Sequence, residues 1–197
     1  SRVQAYKENK LNVDVAVVHS EYIEKTEFAT FENVDYIRTG YNQIRNLLQV
    51  RKYDKILIHF FDPAYFQLLE PQDLSNTQII LYSHGTDALY RAFDVIGRPY
   101  FVSDYVVPES FTKTFALRDY YIKKYNNLPN VKFVFVSNWA KKMSEELLKI
   151  KYNNAEVIPC FIDEKQFPYT EKDPELRKRV FVLRKFDDLS TYSIDID

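Results

Sequence analysis

One cysteine and three glycines in 197 residues set the first limits on what this chain can do. With Cys160 alone there is no internal disulfide and no cysteine-based zinc cluster, which fits a reducing cytosol. Three glycines are too few for a phosphate-cradling loop of the GxGxxG or Walker type. A net charge of −1 gives no bulk electrostatic reason to expect a nucleic-acid partner. No signal peptide is visible, and no apolar run approaches the roughly 20 residues of a membrane span. Internal repeats and low-complexity tracts are absent as well.

What is present is an ordinary globular composition, 46% hydrophobic and 28% charged, with an unusual 16% of aromatic residues. The length suffices for one sizeable core, or for one domain and part of another. The most informative stretch is 131–167. It opens with VKFVFV, whose β-branched and aromatic content suits a buried strand. Ser137 and Asn138 follow, small polar residues that cap a helix by accepting its orphan backbone N–H bonds. Trp139, Met143 and Leu147 then stand four apart, a spacing that stacks them on one helical face, with Glu145 and Lys149 paired on the wet side. A turn at Asn153 and Asn154 leads to a second apolar run at 156–158, stopped by Pro159. The segment reads as a β–α–β unit.

The rest of the chain repeats this alternation. Residues 1–9 have helical character, and VDVAVV at 13–18 is the first strand, so the domain reads as starting late, without an opening strand and its loop. Residues 34–37 form a short strand, and Tyr41, Ile44, Leu47 and Leu48 mark a helical face. KILIHF at 55–60 is a strand, with Pro63 in the first turn of a short helix through Leu69. QIILY at 78–82 is the next, ending in the run SHGTD at 83–87. Such alternation predicts an α/β fold with a mostly parallel sheet and right-handed crossovers. Ligands of such sheets gather beyond the carboxyl ends of strands. His84 and Gly85 lie there, the imidazole suited to hydrogen-bond a hydroxyl, the glycine to a close approach or to a turn of positive φ. His84 can equally be a turn residue bonded to backbone. His59 reads as a satisfied core histidine inside its strand, while His19 ends another strand and is a weaker cleft candidate.

From 88 to 130 there is no strong strand and the aromatics crowd. Residues 111–125 fit a helix burying Phe111, Phe115 and Tyr121 or Ile122. Most of these rings read as core filling. Some, with Arg91, Arg98 and Arg118, suit an acceptor site, because flat apolar faces stack on sugar rings and arginine pairs with phosphate. After Phe167 a charged, proline-bracketed stretch reads as a linker, followed by a strand at 180–183 and Arg184.

Two of these runs resemble glycosyltransferase family 4, enzymes of the two-domain GT-B fold. In that family a strand ends in a serine that opens a helix, and a V-I-P-N-G-x-D-x-x-x-F run follows. Here the run is VIPCFIDEKQF at 157–167, with Cys160 and Phe161 where Asn-Gly is usual. The family's H-G-x-D/E stretch stands as His84, Gly85, Thr86 and Asp87. The resemblance covers about residues 10–184 and implies a Rossmann-like acceptor-side domain at 1–167, then at 168–197 a linker and the start of a truncated donor-binding domain. It implies transfer of a sugar from a nucleotide sugar to a carbohydrate or lipid-linked acceptor, with retention, no metal and no cofactor besides the donor. His84 would be the catalytic residue at the transferred sugar. Ser83, Gly85, Asp87, Ser137 and Asn138 would contact substrate, and Arg184 the donor diphosphate; the lysine usual a few residues on has no counterpart. The family's donor-holding glutamates would lie beyond residue 197, so these residues alone are expected to be inactive. The implied setting is bacterial surface-polysaccharide synthesis in the cytoplasm, with peripheral association at the inner membrane face left open. The competing reading is a non-catalytic ligand-binding or interaction domain on the same sheet.

Overall fold

The computed structural model describes residues 3, 6, 8–19, 25–31, 33–89, 109–160 and 168–171. Among them are seven strands, β1 (Ala16–Val18), β2 (Thr26–Phe31), β3 (Val34–Thr39), β4 (Lys55–His59), β5 (Gln78–Ser83), β6 (Val131–Phe135) and β7 (Ala155–Val157), and five helices, α1 (Tyr41–Val50), α2 (Pro63–Leu69), α3 (Thr86–Leu89), α4 (Glu109–Asn126) and α5 (Asn138–Leu148). The fold is α/β and Rossmann-like. Its centre is a four-stranded sheet in the order β4-β5-β6-β7, parallel throughout and flanked by helices.

Strand β6 lies directly beside β5 and parallel to it. Alternate residues of β5, Ile79 and Leu81, point into the core with Val131, Phe133 and Phe135 of β6. Against them pack Phe66 and Leu69 of α2, Tyr121, Ile122 and Tyr125 of α4, and Ala140, Met143 and Leu148 of α5. Phe61 crosses Phe133 and Phe135 edge-on at 5.6 and 6.0 Å, and Phe66 stacks on Tyr121 at 5.5 Å. Such pairs add about 0.5–1.5 kcal/mol each beyond the area they bury. Both buried tyrosines of α4 have an acceptor, Tyr121 on Glu70 and Tyr125 on the carbonyl of Phe66. The core-filling expectation thus holds for these rings; Tyr90, Phe93, Tyr100, Phe101 and Tyr105 lie outside the described residues.

The remaining strands form a separate three-stranded sheet, β1-β3-β2, rather than joining a single sheet. β1 runs parallel to β3, but β2 pairs with β3 as an antiparallel hairpin that sequence reading did not assign. Asn33 closes the hairpin with a positive φ of 61°, a conformation asparagine tolerates. Asp14, just ahead of β1, accepts a bond from the Tyr53 hydroxyl at 2.7 Å and pairs with Arg51 at 2.9 Å, so the entry ends of β1 and β4 lie together. Burial and that bond to Asp14 push the Tyr53 hydroxyl up to about 12.

Helix α5 departs from expectation in two respects. Its buried face is Ala140, Met143, Ser144 and Leu148, while Trp139 is half exposed on the rim. Lys149 does not partner Glu145 but forms the left-handed C-cap, with φ 53° and ψ 47°. Glu145 instead accepts from Lys151 at 3.0 Å and from the backbone N–H of Tyr152 at 3.2 Å, tying the helix end to β7. Burial pushes the Glu145 carboxyl up, but the Lys151 and Tyr152 bonds and the charges of Lys151 and Lys141 outweigh it and hold the carboxyl below its ordinary value of 4.5. A depressed folded value stabilises the native state above the ordinary value, and that stability is lost as the pH falls through the folded one. Glu145→Gln should therefore cost about 1 kcal/mol at pH 7, a difference from wild type that shrinks as the pH is lowered from 7 to below the ordinary value of 4.5. Urea unfolding at several pH values measures it, and a constant difference across that window would refute the account.

Candidate functional site

The carboxyl ends of β4, β5 and β6 form one edge. The register pairs His59 with Tyr82 and Ser83 with Phe135, so the residues just past these strands converge there. The loop after β5 is built around the carboxylate of Asp87, which is 5% exposed. Its Oδ1 accepts from the Ser83 hydroxyl at 3.1 Å and from the backbone N–H groups of His84 and Gly85, each at 2.9 Å. Its Oδ2 accepts from the backbone N–H of Phe61, beyond the end of β4, at 3.0 Å. One buried anion thus clips two strand ends together, each bond to it being stronger than a neutral one.

This clip shapes the neighbouring backbone. Phe60 donates its N–H to the Tyr82 carbonyl at 2.9 Å, and Phe61 must then turn its own N–H to Asp87. The chain does so by taking φ to 76° at Phe60, a region bulky residues rarely enter. The result sends Phe61 fully into the core and leaves Phe60 half exposed, its ring 4.8 Å from that of His84. Gly85 has φ 125°, and a Cβ added there would meet nothing within 4 Å. Its glycine is demanded by backbone conformation and not by crowding.

The expected site residues divide accordingly. His84 is exposed at the edge. Ser83 is fully buried, its hydroxyl turned inward to Asp87, and Asp87 has both oxygens occupied by the protein itself. Ser137 caps α5, its Oγ accepting from the Ala140 N–H at 3.0 Å, and Asn138 beside it is exposed. Packing of α3 against α5 brings these residues to the same side of the sheet as SHGTD. Arg184, Arg91, Arg98 and the bridge at 161–167 lie outside the described residues; Arg118 is half-buried on α4. His19 extends the β1–β3 ladder, donating its N–H to the Thr39 carbonyl at 2.9 Å, and so belongs to the other sheet.

His59 corrects its expectation. It is exposed rather than enclosed, because it is the last residue of a strand at the margin of its sheet. Its Nδ1 lies 2.8 Å from Nε2 of His84, and its ring stacks on Tyr82 at 4.8 Å and 12°. The signal was legible in principle: strands 55–60 and 78–82, set parallel with their ends aligned, bring the two histidines side by side. Among the described residues no group of three or more His, Cys, Asp or Glu could hold a metal ion, and no helix is long and apolar enough to cross a membrane. No family profile, no curated protein and no solved structure matches the chain.

The clip makes a prediction of its own. Asp87→Asn retains one acceptor but sets an N–H₂ group against the Phe61 N–H, while Asp87→Ala leaves three backbone donors buried without a partner. Losses of about 2 and about 4 kcal/mol are expected, in that order. Urea unfolding measures them, and a loss below about 1 kcal/mol in both would show that the loop does not depend on the anion.

Proposed function

We propose that this chain forms the acceptor-side domain of a retaining GT-B glycosyltransferase, transferring a sugar from a nucleotide sugar to a carbohydrate or lipid-linked acceptor. The observation that carries the reading is the presentation of His84. It stands exposed at the carboxyl edge of a parallel sheet, on a loop that a buried carboxylate holds rigid. Open α/β sheets bind ligands at that edge, and a preorganised donor or acceptor there can act on a sugar hydroxyl without reorganising.

In this reading the acceptor hydroxyl oxygen attacks the anomeric carbon as the bond from that carbon to the donor phosphate breaks. The nucleoside diphosphate leaves with the bonding electrons, and its phosphate oxygen takes the acceptor proton. No protein nucleophile takes part, so the enzyme supplies positioning and charge stabilisation. His84 contacts the transferred sugar. Gly85 shapes the loop that carries it, and Ser137 and Asn138 border the substrate at the start of α5. Arg184 binds the diphosphate. Ser83 and Asp87 act from beneath, by holding the loop. The setting we infer is cytoplasmic polysaccharide synthesis, at or near the membrane.

A second reading has its own observation. Two residues expected at substrate, Ser83 and Asp87, are turned inward. A non-catalytic binding domain needs the same loop and no transfer chemistry. The two part on experiment. The protein expressed from its complete reading frame is screened with nucleotide-sugar donors for nucleotide release, and His84→Ala should lower turnover about 100-fold, roughly 3 kcal/mol of barrier. Its unfolding midpoint should barely move, since an exposed residue makes few packing contacts. No nucleotide release with any donor would favour the binding domain, and turnover unchanged in the variant would remove His84 from the reaction.

A further inference from the structure

The close approach of His59 to His84 is assigned no role by the transfer scheme. The two rings come from neighbouring strands and meet through Nδ1 of His59 and Nε2 of His84 at 2.8 Å. An N–H···N bond needs one ring to donate and the other to accept, so the pair holds a single hydrogen between them. With Nε2 of His84 engaged, the ring atom left to face a ligand is Nδ1. The ring planes are held too. His59 stacks on Tyr82, and His84 lies between His59, at 5.0 Å, and Phe60, at 4.8 Å.

A purely stabilising role accounts poorly for this arrangement. A single hydrogen bond at an exposed edge adds little to stability. The stronger consequence of the bond is orientational. An imidazole on a surface loop ordinarily samples several rotamers and both tautomers, and a partner on the adjacent strand removes that freedom.

We propose that His59 is the positioning residue of His84, fixing through this bond the plane of its ring and presenting Nδ1 to a sugar hydroxyl. The role of Nδ1 rests on the glycosyl-transfer reading, whereas the pairing of the two rings is a property of this chain alone. The test therefore has two arms. In the first, the ¹⁵N-labelled 197-residue chain is studied by NMR. Scalar coupling between Nδ1 of His59 and Nε2 of His84 across the hydrogen bond is expected. In His59→Phe, which keeps a ring on Tyr82 but has no nitrogen, the tautomer signature of His84 should change. Absent coupling together with an unaltered His84 signature in His59→Phe overturns the proposal.

The second arm uses the protein from its complete reading frame with the donor that supports nucleotide release. His59→Phe should lower kcat about tenfold with KM changed less than about twofold, the pattern of a misdirected rather than a missing group. His59→Asn, whose carboxamide places a hydrogen-bonding atom near the position of Nδ1, should recover most of the loss. A merely structural role would not show that rescue. Unchanged kcat in His59→Phe, alongside a large loss in His84→Ala, overturns the positioning role and leaves that of His84 standing. Unchanged kcat in His84→Ala instead removes His84 from the transfer and with it the positioning role of His59, while the coupling measured in the first arm still decides whether the pair exists.

Discussion

The carboxylate of Asp87 is the constraint on which the rest of the edge depends. A buried anion is expensive unless its lone pairs are met, and here four donors meet them. Three are backbone N–H groups that would otherwise be orphans where the strands end. The same bonds decide conformation. Phe61 is drawn to Asp87, which swings Phe60 into positive φ; His84 and Gly85 are drawn to it from the other side, which leaves the His84 side chain outward. The geometry of the candidate site is therefore a by-product of satisfying one buried charge.

The opposite edge of the sheet is finished in another way. There the connections are pinned by neutral amides. Asn126 donates to the Lys151 carbonyl at 2.8 Å and accepts two bonds from Asn153, one from its backbone N–H at 2.9 Å and one from its side-chain amide at 2.8 Å. Asn130 donates to the carbonyls of Leu74 and Thr77, and Asn154 to that of Val131. These groups close the amino edge, and the aromatic core lies between the two edges. The outward-facing side chains of the carboxyl edge are thus separate from the interdigitated rings on which the fold rests, and Asp87 is the one that joins the two, through the backbone N–H of Phe61.

How much of this was legible in the sequence follows from the range of the interactions. The alternation of strand and helix and the cap at Ser137 depend on local pattern, and the structure has them. The hairpin strand β2 was missed because its residues, TEFATF, are almost all exposed and carry no buried face to write an alternation. Trp139 read as core because its four-residue spacing to Met143 is correct, yet the buried face of α5 runs through Ala140, Met143, Ser144 and Leu148, which leaves Trp139 on the rim. His59 read as core because its strand is apolar, and only the position of that strand at a sheet margin exposes it. Asp87 read as a ligand-facing residue because nothing local shows that a backbone N–H 26 positions earlier in the chain needs it.

That last case bears on what a motif means. In SHGTD the serine hydroxyl, the glycine's positive φ and the aspartate all serve the conformation of the loop. The imidazole of His84 faces outward instead. A run of this kind is therefore selected largely by the need to end a parallel strand beside another, and its appearance speaks first for a scaffold. What speaks for chemistry is whatever goes beyond that need: a second imidazole from the adjacent strand at 2.8 Å, and a phenylalanine kept half exposed against it. Neither is required to close the loop, because Asp87 does so without the side chain of either. What the motif leaves unexplained at this edge is thus His59, the last residue of β4, and Phe60 just past it, which the fold sets beside His84.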